Sequence, residues 1–334
     1  PTLAPMRILV TGAAGFIGSN FVRRMLEGSY PAFADADVTV LDKLTYAGNI
    51  DNLAPVATSP RYSFVEGDIC DSGLLAELMP GFDAVVHFAA ESHVDRSITG
   101  AADFVLTRVL GTQQLLQAAL NADVARFVHV STDEVYGSIE TGSWPEDWPL
   151  APNSPYSASK ASSDLLARAY HQTFGMDVRI TRCSNNYGPY QFPEKVIPLF
   201  VTNLMDGLPV PLYGSGTNIR DWLHVDDHCN GIQMVLDRGR AGEVYNIGGG
   251  TELTNVELTE LILDAMGAGP EMVKRVADRK GHDLRYSVDI SKISAELGYT
   301  PQVPFAQGLA ETIDWYRSNE DWWRPLKAAT PPAR

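Results

Sequence analysis

Cysteine is scarce: Cys70, Cys183 and Cys229 are the three in 334 residues, and no two form a CxxC pair. That spacing excludes a disulfide framework and a cysteine-based zinc site, so no metal is expected, and it suits a reducing cytoplasm. Long apolar runs are also missing. No stretch approaches the ~20 residues that span a bilayer, and nothing at the start reads as a signal peptide. Pro1-Thr2-Leu3-Ala4-Pro5 reads as a tail. The expectation is a cytoplasmic protein with no membrane partner. Positive charge is short as well: 26 Lys and Arg stand against 41 Asp and Glu, a net charge of −15. Nucleic acid is therefore not an expected partner, because backbone binding needs a basic field. The same deficit sets a requirement. Any phosphate-bearing ligand must be met by local Arg and Lys.

What is present is ordinary globular composition, 45% hydrophobic and 20% charged, long enough for two unequal lobes. Short apolar runs at 7–11, 38–41, 62–65, 84–88, 126–131 and 178–182 alternate with helical patterns. Ile17, Phe21 and Met25 follow an i, i+4, i+8 spacing, and further helices are predicted over 103–121 and 156–174. Continuous apolar strands between amphipathic helices mean a parallel sheet covered on both faces. The predicted fold is α/β, a Rossmann-type doubly wound parallel sheet with a smaller mixed α/β substrate-binding lobe. The large domain is placed at 1–187 plus a returning segment about 219–247, and the lobe at about 188–218 plus 248–334. Thr254-Asn255-Val256-Glu257 reads as a capping box opening a helix to about Met266. A last helix over 305–318 is followed by Trp322-Trp323, read as a hydrophobic dock.

Directly after the first strand comes Gly12-Ala13-Ala14-Gly15-Phe16-Ile17-Gly18, opening a helix. Glycines there allow a tight turn and close approach to a pyrophosphate, and the helix N-terminus favours the anion. The spacing is GxxGxxG, so on its own a ligand-free Gly-rich turn stays open. Asp42, ending the second strand, can accept hydrogen bonds from an adenine ribose and repel a 2′-phosphate, which favours NAD over NADP. Lys43 competes, since a cation there tolerates that phosphate. Asp68-Ile69 ends the third strand, where an adenine contact or a loop-capping Asp are both open.

Tyr156-Ser157-Ala158-Ser159-Lys160 puts two side chains at i and i+4 on one helix face, with Pro155 at the helix start. A free phenol titrates near ~10, and bringing it to ~7 needs about 4 kcal/mol of phenolate stabilisation. A nearby ammonium and a nicotinamide cation can supply that in a partly desolvated site. The phenolate then takes an alcohol proton as hydride leaves. YxxxK is weak alone; the upstream glycines and Ser131-Thr132 at a strand end strengthen it. Thr132 would hold the same oxygen, or else only terminate the strand.

With GxxGxxG and YxxxK, the run Ser131-Thr132-Asp133-Glu134-Val135-Tyr136-Gly137 resembles the extended short-chain dehydrogenases acting on nucleotide sugars, and within them the dTDP-hexose 4,6-dehydratases. The likeness covers nearly the whole chain. It includes Asp42-Lys43-Leu44-Thr45-Tyr46-Ala47-Gly48-Asn49, Ala89-Ala90-Glu91-Ser92-His93-Val94-Asp95, Asn185-Asn186-Tyr187-Gly188-Pro189 and Asp278-Arg279-Lys280-Gly281-His282-Asp283. The resemblance implies a lyase in deoxysugar biosynthesis that turns dTDP-glucose into a 4-keto-6-deoxy sugar nucleotide through tightly bound NAD. Tyr156 would deprotonate the C4 hydroxyl during hydride transfer. Glu134 would remove the C5 proton, and Asp133 would protonate the water leaving C6. On a regular strand Asp133 and Glu134 face opposite sides, so the chain must already have left the strand. Asp133 also needs a raised pKa, from burial or from Glu134. From the Asp-Glu pair alone, a solvated acidic turn is the preferred reading.

Carried over by position, Gly12, Gly15, Phe16, Ile17, Gly18, Asp42, Lys43, Leu44, Thr45, Asp68, Ile69, Ala89, Thr107, Tyr156, Lys160 and Asn186 look like NAD contacts. Ser92, Thr132, Asn185, Lys195, Val196, Pro211, Tyr213, Arg220, Asn255, Arg279, His282 and Tyr286 look like substrate contacts. Lys195, Arg220 and Arg279 would neutralise the diphosphate, although each is open to being a surface charge. His282 and Tyr286 could equally be packing residues. The resemblance also implies a homodimer through the helices holding Arg108 and residues 156–174. One position departs: Arg108 stands where the family has Asn behind the catalytic Lys. It leaves open whether Arg108 turns outward, alters a proton relay or alters the subunit interface. Rival readings are a nucleotide-sugar 4-epimerase, a dehydratase of another nucleotide hexose, and a non-catalytic NAD-sensing protein.

Overall fold

The computed structural model describes residues 4–90, 102 and 105–330. Among them, seven parallel strands form the central sheet: β1 (Arg7–Thr11), β2 (Asp37–Asp42), β3 (Tyr62–Glu66), β4 (Ala84–His87), β5 (Arg126–Thr132), β6 (Val178–Cys183) and, later in the chain, β10 (Val244–Ile247). Their order is β3-β2-β1-β4-β5-β6-β10. The order reverses between β1 and β4, which opens a crevice at the carboxyl ends of the strands. Six of these strands are the apolar runs of the sequence, each within a residue or two. They read as continuous rather than alternating because helices cover both faces.

The helices follow in chain order: α1 (Phe16–Leu26), α2 (Ser72–Leu78), α3 (Thr112–Asn121), α4 (Pro155–Phe174), α5 (Val196–Met205), α6 (Val225–Arg238), α7 (Asn255–Met266), α8 (Ser291–Leu297), α9 (Phe305–Ser318) and α10 (Glu320–Ala328). A wide-turn π segment, Leu106–Gly111, leads into α3. One face of the sheet packs Phe21, Val22, Ile232 and Leu236; the other packs Leu115, Leu116, Ala167 and Phe127. A separate core around Trp222, Phe200, Ile313 and Trp323 holds the smaller lobe.

Three segments depart from the domain division expected from sequence. The strand Ile219–His224 (β9) pairs with Asn185–Tyr187 (β7) and Glu252–Thr254 (β11) in a three-stranded sheet, not with the central one. Only α6 and β10 of the returning segment rejoin the central sheet. In the other direction, Ile293, Leu297 and Tyr299 pack into the large core, although the sequence division puts them in the lobe. Partner choice by a short strand is set by what lies beside it in space, and apolar content alone does not reveal that. The capping box does form: Thr254 Oγ1 accepts from Glu257 N at 3.1 Å and Glu257 Oε2 accepts from Thr254 N at 2.7 Å. No helix among the described residues is long and apolar enough to cross a membrane.

Candidate active site

The crevice is a cavity of about 310 Å³ walled by the loops that follow β1 to β6. At its floor the chain turns at Gly12, whose φ of +73° favours glycine. A Cβ there would sit 2.5 Å from the Ala89 backbone, and one on Gly18 would sit 2.7 Å from Ala13 Cα. The turn itself and the packing of α1 against it thus both require glycine. Gly15 caps α1 with extended backbone and leaves the helix N-terminus facing the cavity, a ready anion site.

Asp42 lines the cavity, but its carboxylate is engaged by the chain: Oδ2 accepts from Ala14 N at 2.9 Å and Oδ1 from Leu44 N at 2.8 Å. It therefore shapes the glycine turn as well as facing the cavity. Lys43 Nζ pairs with Asp68 Oδ2 at 2.7 Å, so the cation that would tolerate a 2′-phosphate is already matched by a carboxylate. Of the expected NAD contacts, Leu44 alone is not in the cavity wall; it has a φ of +53° and serves the turn. Gly12, Gly15, Phe16, Ile17, Gly18, Thr45, Ile69, Ala89, Thr107, Tyr156, Lys160 and Asn186 all line it. These features suit a dinucleotide: a glycine cradle, a helix N-terminus and a carboxylate at the end of β2.

At the far end, β5 stops at Thr132 and a 3₁₀ turn, Asp133–Tyr136, begins at once. Because the chain has left the strand, Asp133 and Glu134 reach the same cavity wall. Asp133 is 1% exposed, and Thr132 Oγ1 donates to its Oδ1 at 3.2 Å. Burial pushes the Asp133 carboxyl well above its ordinary range; the Glu134 and Asp221 charges add to this, and Arg220 opposes it. Ser157 Oγ donates to Glu134 Oε2 at 3.3 Å.

Helix α4 begins with Ser154 accepting from Ser157 N and Pro155 in the first turn, which sets Tyr156 and Lys160 on the cavity face. Lys160 Nζ donates to Val130 O at 3.1 Å. Burial pushes Lys160 down to about 7, and the Arg108 charge pushes the same way. Burial holds Tyr156 up at about 12, opposed first by the charge of Arg108 and a hydrogen bond from it. The cation set against Tyr156 is thus Arg108 more than Lys160, a revision of the simple Tyr/Lys pair. Arg108 turns inward and is 1% exposed.

Of the expected substrate contacts, Thr132, Asn185 and Lys195 share the cavity wall, while Ser92 lies outside the described residues. Val196, Pro211, Tyr213, Arg220, Asn255, Arg279, His282 and Tyr286 are not in that wall; they belong to the smaller lobe. Arg220 is buried against the Tyr286 ring at 4.1 Å, and Tyr286 Oη donates to Asp283 Oδ2 at 2.7 Å. Burial lowers Lys195 and Arg220, and both feel the charge of Arg279, so three cations gather beside Glu134 despite the acidic whole. His282 Nδ1 lies 2.7 Å from Asp278 Oδ1.

Sequence reasoning missed Asn52, Tyr190, Gln191, Phe192, Trp322 and Leu326, all in the wall. Trp322, read as part of a hydrophobic dock, packs against Trp315 and Tyr190; it also donates from Nε1 to Asn52 Oδ1 at 2.9 Å, and Asn52 Nδ2 donates to Ala14 O at 2.9 Å. The link joins α10 to the glycine turn across nearly the whole chain, and no local signal announces it.

The family model described as GDP-mannose 4,6 dehydratase matches residues 9–312. A dTDP-glucose 4,6-dehydratase of Streptomyces antibioticus is 64% identical over 333 residues, 98% of each chain. The crystal structure of a Streptomyces venezuelae dTDP-glucose 4,6-dehydratase with NAD bound superposes with a TM-score of 0.95 at 67% identity, covering 96% of this chain and 100% of that one. A UDP-glucuronic acid 4-epimerase of Bacillus cereus shares the fold at 30% identity and a TM-score of 0.86, covering 94% of this chain and 99% of its own. The chain belongs to the dTDP-glucose 4,6-dehydratase family.

Proposed function

We propose that the chain converts dTDP-glucose to dTDP-4-keto-6-deoxyglucose and water, as an NAD-dependent hydro-lyase that supplies deoxysugar biosynthesis. The observation that carries this reading is the convergence of Thr132, Asp133, Glu134, Tyr156 and Lys160 on one cavity wall. A 4-epimerase needs the Thr, Tyr and Lys but has no use for the carboxyl pair.

NAD, when bound, takes a hydride from C4 of the sugar and later returns it to C6. The glycine turn, Asp42 and the wall from Thr45 to Ile69 would hold it, with Lys160 and Asn186 at its reacting end. Tyr156 Oη takes the proton of the C4 hydroxyl, and Thr132 Oγ1 holds the same oxygen. A 4-ketone acidifies the proton on C5, which Glu134 removes, and C5 is reprotonated once hydride has reached C6. Asp133, kept neutral by burial and by its acidic neighbour, gives its proton to the hydroxyl leaving C6. Lys195, Arg220 and Arg279 counter the diphosphate, which a chain of charge −15 would otherwise repel.

Incubation with dTDP-glucose and mass spectrometry of the product tests this. Loss of one water, without accumulation of reduced cofactor, is expected. A mass-neutral isomer would mean epimerisation, and no change with several nucleotide hexoses would favour a sensor. In Glu134→Gln, C4 oxidation is expected to persist while exchange of the C5 proton with solvent slows by about 10²–10⁴-fold. Full turnover by that variant removes Glu134 from its role.

The working unit is a homodimer in this reading. Val105, Leu106 and Leu110 beside α3, and Leu165 and Phe174 on α4, stand exposed on two helical segments that pack together. Such a patch is costly to leave in water. The absence of a helix able to span a bilayer among the described residues is compatible with a cytoplasmic setting.

A further inference from the structure

Arg108 sits in the π segment Leu106–Gly111, an uncommon helical form that recurs at functional sites. Its guanidinium carbon lies 3.9 Å from the centre of the Tyr156 ring. Its Nη1 donates to Tyr156 O at 2.9 Å and to Ser159 Oγ at 3.2 Å, and its own carbonyl accepts from Ser163 Oγ at 2.7 Å. The side chain is thus tied to the first turn of α4 at Tyr156 and Ser159, its own backbone is tied to Ser163, and it is almost fully buried. A buried guanidinium is costly unless its charge serves a partner, and the ring it covers is the base of the proposed oxidation.

We propose that Arg108 is a positioning residue for Tyr156: its guanidinium clamps the ring and supplies the fixed positive charge that keeps the phenol within reach of ionisation. Other groups face the pair from every side. Glu134 and Cys183 face Tyr156 from the turn after β5 and from β6 and disfavour the phenolate. Lys160 faces Arg108, Asp164, Glu134 and Cys183, with His87 and His129 on the strands beneath. Lys195 also feels Arg108 and Glu134. Lys160, held near 7, is neutral for part of the working pH range. A guanidinium carries its charge as a matter of its chemistry. The division of labour follows: Arg108 holds the charge, and Lys160 is free to anchor and to relay a proton.

The proposal rests on Tyr156 being the base, so its test reads the phenol without any sugar. In the NAD-loaded protein, the ultraviolet titration that disappears in Tyr156→Phe belongs to Tyr156. In Arg108→Met, which keeps an unbranched stem in the core, that titration is expected to rise by about one unit, a tenfold change. The rise stays near one unit because Lys160, relieved of a like charge, recovers some of its own. Arg108→Lys, charged but without the planar clamp, should raise it less. With dTDP-glucose, the C4 hydride step of Arg108→Met should fall about tenfold at neutral pH and recover in alkali. An unshifted phenol with a pH-independent loss would mean a merely structural role, and equal shifts in Met and Lys would refute the charge assignment; either overturns the proposal. Should Arg108→Met not fold, no rise in Arg108→Lys overturns it. A shifted phenol in a protein that leaves dTDP-glucose unchanged would sink the proposed reaction instead.

Discussion

Replacing Tyr156 by Phe is expected to slow C4 oxidation by about 10²–10⁴-fold while leaving fold and NAD binding in place. The substitution removes one hydroxyl from a ring whose position is otherwise secured. The Arg108 guanidinium covers the ring face, and the backbone is held by Pro155 at the start of α4 and by Arg108 Nη1 on Tyr156 O. Phe keeps each of those contacts and gives up the Arg108 hydrogen bond to the hydroxyl, so the main loss falls on proton removal. Burial already holds the phenol high, at about 12. Arg108 already opposes that burial, so bound NAD would have to lower the phenol further, and activity should rise with pH through the working range in the wild-type protein. Rapid mixing of the NAD-loaded variant with dTDP-glucose, followed by the reduced-cofactor absorbance, measures the step. A rate close to wild type would place the base elsewhere, and Glu134 is the next carboxylate along the wall.

The second large effect is on stability. Asp164→Ala is expected to cost about 3–5 kcal/mol, because it strands buried charge. Asp164, on the inner face of α4 and 1% exposed, accepts from Arg182 Nε at 2.9 Å and lies 3.1 Å from His129 Nε2. Burial would push its carboxyl up, but Arg182 and the His129 hydrogen bond more than reverse that, and it lies below the ordinary range. Burial pushes His129 down, so the imidazole is neutral and contributes a hydrogen bond rather than an ion pair. Without the carboxylate, Arg182 keeps Tyr136 Oη at 2.8 Å and Glu146 O at 3.2 Å, neither of which carries its counter-charge. The sign with pH follows from the lowered pKa: the contribution is full above the unfolded carboxyl's range and is lost as pH falls through the folded value. Urea unfolding at neutral pH and again near pH ~3 tests both parts. Wild-type and variant should converge in acid, and an equal gap at both pH values would refute the charge argument.

Local features were legible from sequence. The Gly12 turn, the apolar strands, the Thr254 cap and the start of α4 each depend on a few neighbouring residues and on backbone sterics, which short stretches of chain encode. The meeting of Tyr156, Lys160, Thr132 and the Asp133-Glu134 pair was legible only through the family resemblance; from the residues alone the acidic pair read as a solvated turn. The pairing of β9, the Asn52–Trp322 link and the placing of Tyr190 in the cavity wall were not legible. They bring together residues far apart in the chain, and no periodicity or composition marks them.

Arg108 shows most clearly where that boundary lies. Its identity and its difference from the family's Asn were on the face of the sequence, with three destinations open. Packing of the π segment against α4 removed the outward one, because a guanidinium points wherever partners and excluded water allow. The sequence by itself determined the fold, the cofactor class and the chemical groups available. Tertiary structure decided which cation stands over the base, since electrostatics in a buried site depend on distance and solvent access, and neither is a property of a residue's position along the chain.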